Sequence, residues 1–185
     1  MSYNIDMIWI NILTLVFISG VLFWMASMLY ASMFHVPTVY ASDQAITDAF
    51  KLAKLRSGEK VVDLGCGNAK SLIIAARDFG ARGVGVENSP YCYLKSRCNV
   101  ILSGQSGKIK IVFGDFKKVE KELKESDVVY MYLLNKVLAK IEPWYFDHIG
   151  EQTRSVILSF RFAHHSPTKI KKTRNLGRPT ELRLY

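Results

Sequence analysis

The chain has 185 residues, which is room for one ordinary domain and a short additional segment. It carries 25 Lys and Arg against 16 Asp and Glu, and this net charge of +9 favours anionic neighbours such as lipid, nucleic acid or acidic protein. The three cysteines show no CxxC spacing and do not combine with the four histidines at zinc-ligand spacing. We therefore expect neither a disulfide framework nor a bound metal.

The segment from Met7 to Phe34 contains no charged residue and is long enough to cross a bilayer, which takes about 20 apolar residues. Trp9 and Tyr30 stand near its two ends, where aromatic side chains anchor a helix at the membrane interfaces. No Lys or Arg precedes the run, whereas a signal peptide begins with a basic region. We therefore expect a retained single-pass anchor rather than a cleaved signal or a buried core helix.

The orientation of this anchor follows from the cations beyond it. Basic residues near a span are favoured on the cytoplasmic side of the membrane. The first basic residues of the chain all follow the span and are Lys51, Lys54 and Arg56. We expect the folded part of the chain on the cytoplasmic side.

A linker and a leading helix follow the span. Pro37 disfavours helix at Val36, so 36–42 reads as the linker. Ser42 is a good N-cap for an amphipathic helix from Asp43 to about Leu55. The apolar face of this helix comprises Ile46, Phe50 and Ala53.

The segment 61–70, VVDLGCGNAK, predicts a buried strand, a glycine turn and a helix from about Ser71. Gly65 and Gly67 allow a tight turn and the close approach of a ligand. Asp63 lies at the carboxyl end of the strand, where open α/β sheets bind ligands. The dinucleotide pattern G-x-G-x-x-G would need glycine at position 70, which is Lys70.

Two later acids follow the next two predicted strands. Glu87 ends the strand 83–87, roughly 20 residues after the glycine turn, where a nucleotide-binding α/β fold places its ribose-binding carboxylate. Asp115 follows the strand 108–113 in the sequence Gly-Asp-Phe. The alternatives are a surface glutamate at a strand end and an ordinary turn aspartate.

The remainder of the chain continues the alternation of helices and strands. Such alternation predicts a doubly wound α/β sheet. We expect a surface helix at 117–125, a strand at 127–134, a helix at 135–148 interrupted near Pro143, a strand at 155–160, and a final hairpin from strands 169–174 and 182–185 around 177–179.

The DLGCG sequence resembles the first motif of the class I, seven-stranded S-adenosylmethionine (AdoMet) methyltransferases. The whole chain is similar to a small family of membrane-anchored, AdoMet-dependent protein-lysine N-methyltransferases of prokaryotes and mitochondria. The resemblance is carried by the apolar span and by VPTVYASD, DLGCGNAK, GVGVE, GD, VVYMYLL and SFRF. The family's usual DLGSGDGR and YLLP differ here at Asn68, Ala69, Lys70 and Asn135.

The resemblance implies a Rossmann-like, seven-stranded sheet and AdoMet as the cofactor. It divides the chain into a transmembrane anchor (1–35), a linker with the leading helix (36–57) and a methyltransferase domain (58–185). The cofactor-binding residues it implies are Asp63, Gly65, Cys66, Gly67, Glu87, Asn88, Asp115 and Phe116, with Asp115 and Phe116 at the adenine. Candidates for the acceptor channel are Tyr40, Ser42, Asp43, Tyr132 and Asn135, although Ser42 could be only a helix cap and Tyr132 only a core residue.

The expected reaction is methyl transfer to a lysine amine of a membrane or membrane-proximal protein, in the inner mitochondrial membrane if the source is eukaryotic. One alternative is methylation of a lipid or another small molecule, because the fold does not fix the acceptor. A second is a non-catalytic module that holds AdoMet. A third is a nucleic-acid binder that uses the basic C-terminal stretch 169–183, although we do not expect nucleic acid as the partner.

Overall fold

The structure is a computed structural model and describes residues 5–33 and 40–185. It forms two compact units, Met1–Pro37 and Thr38–Tyr185. The predicted linker therefore lies largely outside the described residues, as does the expected boundary between positions 35 and 36.

The first unit contains the helix α1 (Ile5–Met33). Its segment Met7–Leu29 has a mean hydropathy of 2.2 and is long and apolar enough to cross a membrane. A signal sequence or the core helix of a globular protein passes the same test of length and composition. The side chains of this segment are almost all exposed, unlike those of a core helix.

The second unit is built on one seven-stranded sheet with the order β3-β2-β1-β4-β5-β7-β6. Strands β1 to β5 are parallel, and β7 and β6 add an antiparallel hairpin at one edge. The strands are β1 (Lys60–Leu64), β2 (Arg82–Glu87), β3 (Ile109–Phe113), β4 (Val128–Met131), β5 (Arg154–Leu158), β6 (Lys169–Asn175) and β7 (Arg178–Leu184). This mixed sheet confirms the predicted doubly wound, Rossmann-like fold.

Helices cover both faces of the sheet because alternate strand residues point to opposite sides. Val61 and Tyr130 face the layer of α2, α3 and α4, while Val62 and Met131 face the layer of α5 and α6. The helices are α2 (Asp43–Leu52), α3 (Lys70–Asp78), α4 (Pro90–Leu102), α5 (Glu120–Lys124) and α6 (Asn135–His148), and a short 3₁₀ helix (Phe116–Val119) precedes α5.

The leading helix ends earlier than predicted. Ser42 caps α2 as expected, because its side chain accepts a hydrogen bond from the Ala45 N–H. Lys54 then adopts a left-handed φ of 52°, and the Leu55 N–H donates to the Phe50 carbonyl. This is a Schellman ending with lysine in the position that glycine usually occupies, so no glycine marks this helix end in the sequence.

The predicted interruption of α6 at Pro143 is wrong, because the helix runs unbroken from Asn135 to His148. A proline inside a helix removes one backbone hydrogen bond, here the bond to the Ala139 carbonyl. Ala139 is exposed, so water can satisfy that carbonyl, and the buried Leu138 and Tyr145 hold the helix on the sheet at both sides of the proline.

The final hairpin also turns earlier than predicted. Only Leu176 and Gly177 form the turn, with φ of 50° and 80°, and β7 already begins at Arg178. Pro179 therefore lies inside β7, opposite Arg174. The pair that flanks a two-residue turn is hydrogen-bonded and the next pair is not, so the Pro179 nitrogen faces away from β6 and no ladder bond is lost.

Candidate active site at the carboxyl edge of the sheet

The glycine turn after β1 leaves an open space at the carboxyl edge of the parallel strands. Gly67 has a left-handed φ of 55°, and a Cβ added there would have no atom within 4 Å. At Gly65, with φ of 84°, a Cβ would come within 2.9 Å of Leu133 Cδ2, so this glycine lets the loop after β4 pack against the turn. Ala69 completes the turn in the left-handed conformation immediately before α3.

Glu87 at the end of β2 is directed at this turn. One carboxylate oxygen accepts the Gly67 N–H at 2.9 Å and the other accepts the Ser89 N–H at 2.8 Å. Burial raises the pKa of Glu87, and these backbone donors oppose the rise. An ionised carboxylate offers about four acceptor sites. The backbone of Gly67, Asn88 and Ser89 donates three hydrogen bonds to Glu87, so it can still accept one from a hydroxyl-bearing ligand.

Asp63 lies deeper, within β1, where it is almost fully buried. Its carboxylate accepts a hydrogen bond from the Ser71 hydroxyl in the first turn of α3. Burial raises the pKa of Asp63 to about 7, the Ser71 bond opposes this rise, and the charge of Glu87 adds to it. Among the described residues, the edge thus holds two buried carboxylates, one of which has a pKa near neutral pH.

Cys66 and Asn88 were both expected at the cofactor. The Cys66 side chain is buried, and a Cβ at Gly85 would approach its sulfur to 2.7 Å, so it fills the core between the turn and β2. Burial raises the pKa of Cys66 well above its usual range, as for a structural thiol. Only the backbone of Cys66 lies at the turn, whereas Asn88 is exposed beside Glu87.

Asp115 and Phe116 follow β3 at the same edge. The Gly114 N–H donates to the Glu87 carbonyl at 3.0 Å, which joins the ends of β2 and β3. Asp115 is exposed and caps the 3₁₀ helix, because its side chain accepts the Lys117 N–H at 3.1 Å. Phe116 is partly buried against the core on the side of the sheet that α5 and α6 cover. Asp115 is therefore a turn residue in structural terms, and its second oxygen stays available at the edge.

The acceptor candidates Tyr40, Ser42 and Tyr132 are brought together by Asn175, a residue that the sequence analysis missed. Asn175 Oδ1 accepts the Ser42 N–H at 2.7 Å, and its Nδ2 donates to the Tyr132 hydroxyl at 3.0 Å and to the Tyr40 carbonyl at 3.4 Å. Asn175 is only 8% exposed. It lies at the end of the last hairpin, and no local pattern links an asparagine there to residues more than 130 positions earlier.

Asp43 and Asn135 lie at the same edge but outside this cluster. Asp43 forms an ion pair with Lys70, whose ammonium also donates to the Ala41 carbonyl at 3.2 Å. Lys70 thus fixes the segment before α2 to the start of α3. Asn135 Oδ1 accepts the Arg161 N–H at 3.1 Å and fixes the loop after β5.

AdoMet fits the chemistry of this edge. The open space at Gly67 would be filled by any larger side chain, and Glu87 offers acceptors suited to ribose hydroxyls. A cleft of about 540 Å³ lies at the opposite, amino-terminal edge, lined by residues such as Lys60, Arg82 and Lys108. Ligands of open α/β sheets bind outside the carboxyl ends of the strands, so the cleft at the amino-terminal edge is not the expected cofactor site.

Comparison with known families assigns the chain to one of them. The ANTKMT methyltransferase domain matches residues 63–169. The chain belongs to this methyltransferase family. A protein-lysine N-methyltransferase of Saccharolobus islandicus (strain REY15A) is 31% identical over 139 residues, which is 75% of this chain and 85% of that protein.

Solved structures of methyltransferases share the fold of this family member. An RNA methyltransferase from Salinibacter ruber, in complex with S-adenosyl-L-homocysteine, superimposes with a TM-score of 0.71 and 29% identity over 78% of this chain and 92% of that one. The B. subtilis tRNA methyltransferase TrmK gives a TM-score of 0.63 at 18% identity over 80% and 66% of the two chains, which shows the fold alone. The protein is an AdoMet-dependent methyltransferase.

Proposed function

We propose that this protein transfers a methyl group from AdoMet to a lysine side chain of a protein, and that α1 anchors it in a membrane. The similarity to the Saccharolobus lysine methyltransferase carries the choice of acceptor. The exposed apolar helix α1 supports the anchor, and a membrane or membrane-proximal protein is then the substrate within reach.

Within the site, Gly67 and Glu87 would hold the cofactor, with Asp63 behind them. When bound, AdoMet supplies an electrophilic methyl group on a sulfonium centre. The polar cluster of Tyr40, Ser42, Tyr132 and Asn175 lies at the same edge and would line the path of the acceptor. Because the protein needs to supply no nucleophile, its main contribution is to position the acceptor amine.

Tyr132 is the residue we place closest to the acceptor. Its hydroxyl accepts a hydrogen bond from Asn175 Nδ2, so its own proton and one lone pair remain for a ligand. Its ring packs against Phe160, with 5.7 Å between the ring centroids, which limits its rotation. Tyrosine faces attract cations, so this part of the site suits the lysine side chain and its methylated product. The proton released by the amine would pass to water.

The acceptor class is tested with membranes that contain the full-length chain and with AdoMet labelled in its methyl group. Protein, lipid and RNA fractions are separated and counted, and labelled proteins are analysed by mass spectrometry. We expect label on lysine ε-amines of protein and none with the Glu87→Ala variant. Label in the organic extract and not in protein would show that the acceptor is a lipid and would contradict the lysine assignment.

RNA is the second candidate acceptor, because the Salinibacter protein is an RNA methyltransferase and this chain carries a charge of +9. Binding of RNA through phosphates weakens steeply as the salt concentration rises. Label in the RNA fraction, together with salt-sensitive RNA binding, would favour this candidate over lysine.

A further inference from the structure

The tip of the β6–β7 hairpin carries a leucine whose backbone is in the left-handed conformation and whose apolar side chain is exposed. Leu176 is 66% exposed and occupies the first position of the two-residue turn with a φ of 50°. Turns of this kind favour Asn-Gly, because a side chain with a Cβ is strained in the left-handed region and asparagine tolerates it best. A single exposed apolar side chain is common on protein surfaces, but one held in a strained backbone conformation at the tip of a hairpin points to a function.

Two arginines lie two residues from the leucine along the hairpin. Arg174 precedes the turn and Arg178 follows it, on opposite faces of the hairpin, and both are exposed. Within residues 40–185, neither arginine forms an ion pair, and the same holds for the exposed Lys172. On β6, Ile170 is 53% exposed and shares one strand face with Lys172 and Arg174, because alternate residues point the same way.

We propose that this tip surface contacts a membrane with anionic head groups. The tip surface consists of Lys172, Arg174, Leu176 and Arg178, and Ile170 lies about 20 Å from the turn along β6. An apolar tip with basic residues on both strands matches a bilayer surface, where the leucine enters the boundary of the acyl chains while the arginines stay among the phosphates. This inference rests on the proposed function, because attachment of the chain to the membrane through α1 would give the tip a high local concentration of lipid.

The contact has a consequence for the acceptor site. Asn175, which is adjacent to Leu176, joins the hairpin to Ser42 and Tyr132. Seating the tip on lipid would hold the acceptor end of the site at the membrane surface. Membrane-proximal lysines would then be the lysines within reach.

The test attaches an environment-sensitive dye to Leu176→Cys in the full-length chain, with Cys98→Ser removing the exposed native cysteine; Cys66 and Cys92 are buried. The control carries the dye at Leu102→Cys, which is 84% exposed at the end of α4. The chain is added to vesicles of phosphatidylcholine alone or with phosphatidylglycerol, and fluorescence and flotation are measured. AdoMet affinity, measured on the same samples, reports separately on the proposed function.

We expect a blue shift and a severalfold rise in emission at position 176 with the anionic vesicles, reversed by high salt, and no change at position 102. Charge reversal of Arg174 and Arg178 to Glu should abolish the shift, whereas reversal of the exposed Lys121 and Lys124 should leave it. A dye at position 176 that stays in water in a chain that floats with the vesicles overturns the proposal, whereas a chain that does not float contradicts the α1 anchor of the proposed function.

Leu176→Asn supplies a second variant that folds at least as well as the native chain, because asparagine suits this turn. Because the proposed anchor α1 floats the full-length chain whether or not the tip touches lipid, both variants are compared through a dye at the exposed Pro179→Cys, which lies opposite Arg174. The blue shift with anionic vesicles should weaken with Leu176→Asn and with the charge reversal of Arg174 and Arg178. An unchanged shift in both variants would overturn lipid contact.

Discussion

Two buried carboxylates at one edge of the sheet have different partners and different expected roles. Glu87 accepts backbone N–H groups from Gly67 and Ser89, which hold it at the turn, while Asp63 accepts the Ser71 hydroxyl. The sequence predicted both positions from strand ends and spacing. It could not predict the pKa of Asp63 near 7, because that value arises from burial under α3 and from the charge of Glu87.

The affinity for AdoMet should rise as the pH increases from 6 to 8. Asp63 is neutral below its pKa of about 7 and anionic above it, and AdoMet carries a net positive charge. We expect an increase of about three- to tenfold by calorimetry, since one proton is linked to binding. Asp63→Asn should flatten this dependence, and a variant that keeps it would assign the titration to another group.

Removal of the Asn175 side chain should reduce methyl transfer without changing the cofactor site. Asn175→Ala leaves the Tyr132 hydroxyl and the Ser42 N–H without their partner, so we expect kcat/KM for the acceptor to fall about tenfold, equivalent to about 1.4 kcal/mol. AdoMet affinity should stay within about twofold, since removing a single remote side chain costs the cofactor site no contact.

The variants Asn175→Asp and Tyr132→Phe test whether Asn175 positions the Tyr132 hydroxyl or only stabilises the fold. The aspartate keeps an acceptor for the Ser42 N–H but loses the donor to Tyr132, so activity should fall about as far as with alanine if Asn175 acts through Tyr132. If Asn175 acts through Tyr132, the double variant with Tyr132→Phe should be no worse than the poorer single variant. Fully additive losses would contradict this account.

At the level of elements, the sequence predicted the strands and the two acids best because hydrophobic runs and glycine turns are local signals. It failed where distant contacts decide the outcome. Helix α6 continues through Pro143 because its buried face holds it, and α2 ends at a lysine in a left-handed conformation. The link from Asn175 to Ser42 joins the two ends of the folded domain, and no periodicity in the chain encodes such a pair.

The loop between β5 and β6 is held by a buried glutamate that no sequence motif predicted. Glu142 in α6 is buried and accepts the backbone N–H groups of Ala163, His164 and His165, as well as a bond from the His165 ring. Burial alone would raise the pKa of Glu142, but the His165 ring and these N–H groups outweigh it and lower the pKa. Glu142 therefore holds the loop between β5 and β6.

Glu142→Gln should lower the free energy of unfolding at pH 7 by about 1–3 kcal/mol, because an amide nitrogen cannot accept the N–H groups it would face. A carboxyl whose pKa is lowered by folding stabilises the protein above its unfolded pKa of about 4.3, and this contribution is lost as the pH falls through the folded value. Urea unfolding should show the difference between the two proteins shrinking below about pH 4. A constant difference would assign the loss to packing.

At the level of the whole molecule, the apolar helix and the folded domain are separate compact units. All the residues assigned to AdoMet and to the acceptor lie between Tyr40 and Asn175, within the second unit. The sequence already separated these parts by charge, since every Lys and Arg follows the apolar segment.

Deletion of residues 1–35 should release the protein from the membrane pellet while its AdoMet affinity stays within about twofold, because α1 is the proposed anchor and the residues assigned to AdoMet all lie in the second unit. Sedimentation after cell lysis and calorimetry test the two parts separately. A truncated protein that remains in the pellet would contradict the assignment of α1 as the anchor.

The central claim, that AdoMet binds in the open space beside Gly67, is tested most directly by comparing Gly67→Ala with Gly58→Ala in the full-length chain. Both glycines have a positive φ, 55° at Gly67 and 83° at Gly58, and a Cβ at either would have no atom within 4 Å, so the control variant carries at least as much backbone strain. Only the alanine at position 67 enters the proposed pocket. We predict by calorimetry at least a roughly tenfold loss of AdoMet affinity for Gly67→Ala, equivalent to about 1.4 kcal/mol, and little change for Gly58→Ala. Equal affinities for the two variants would contradict the site.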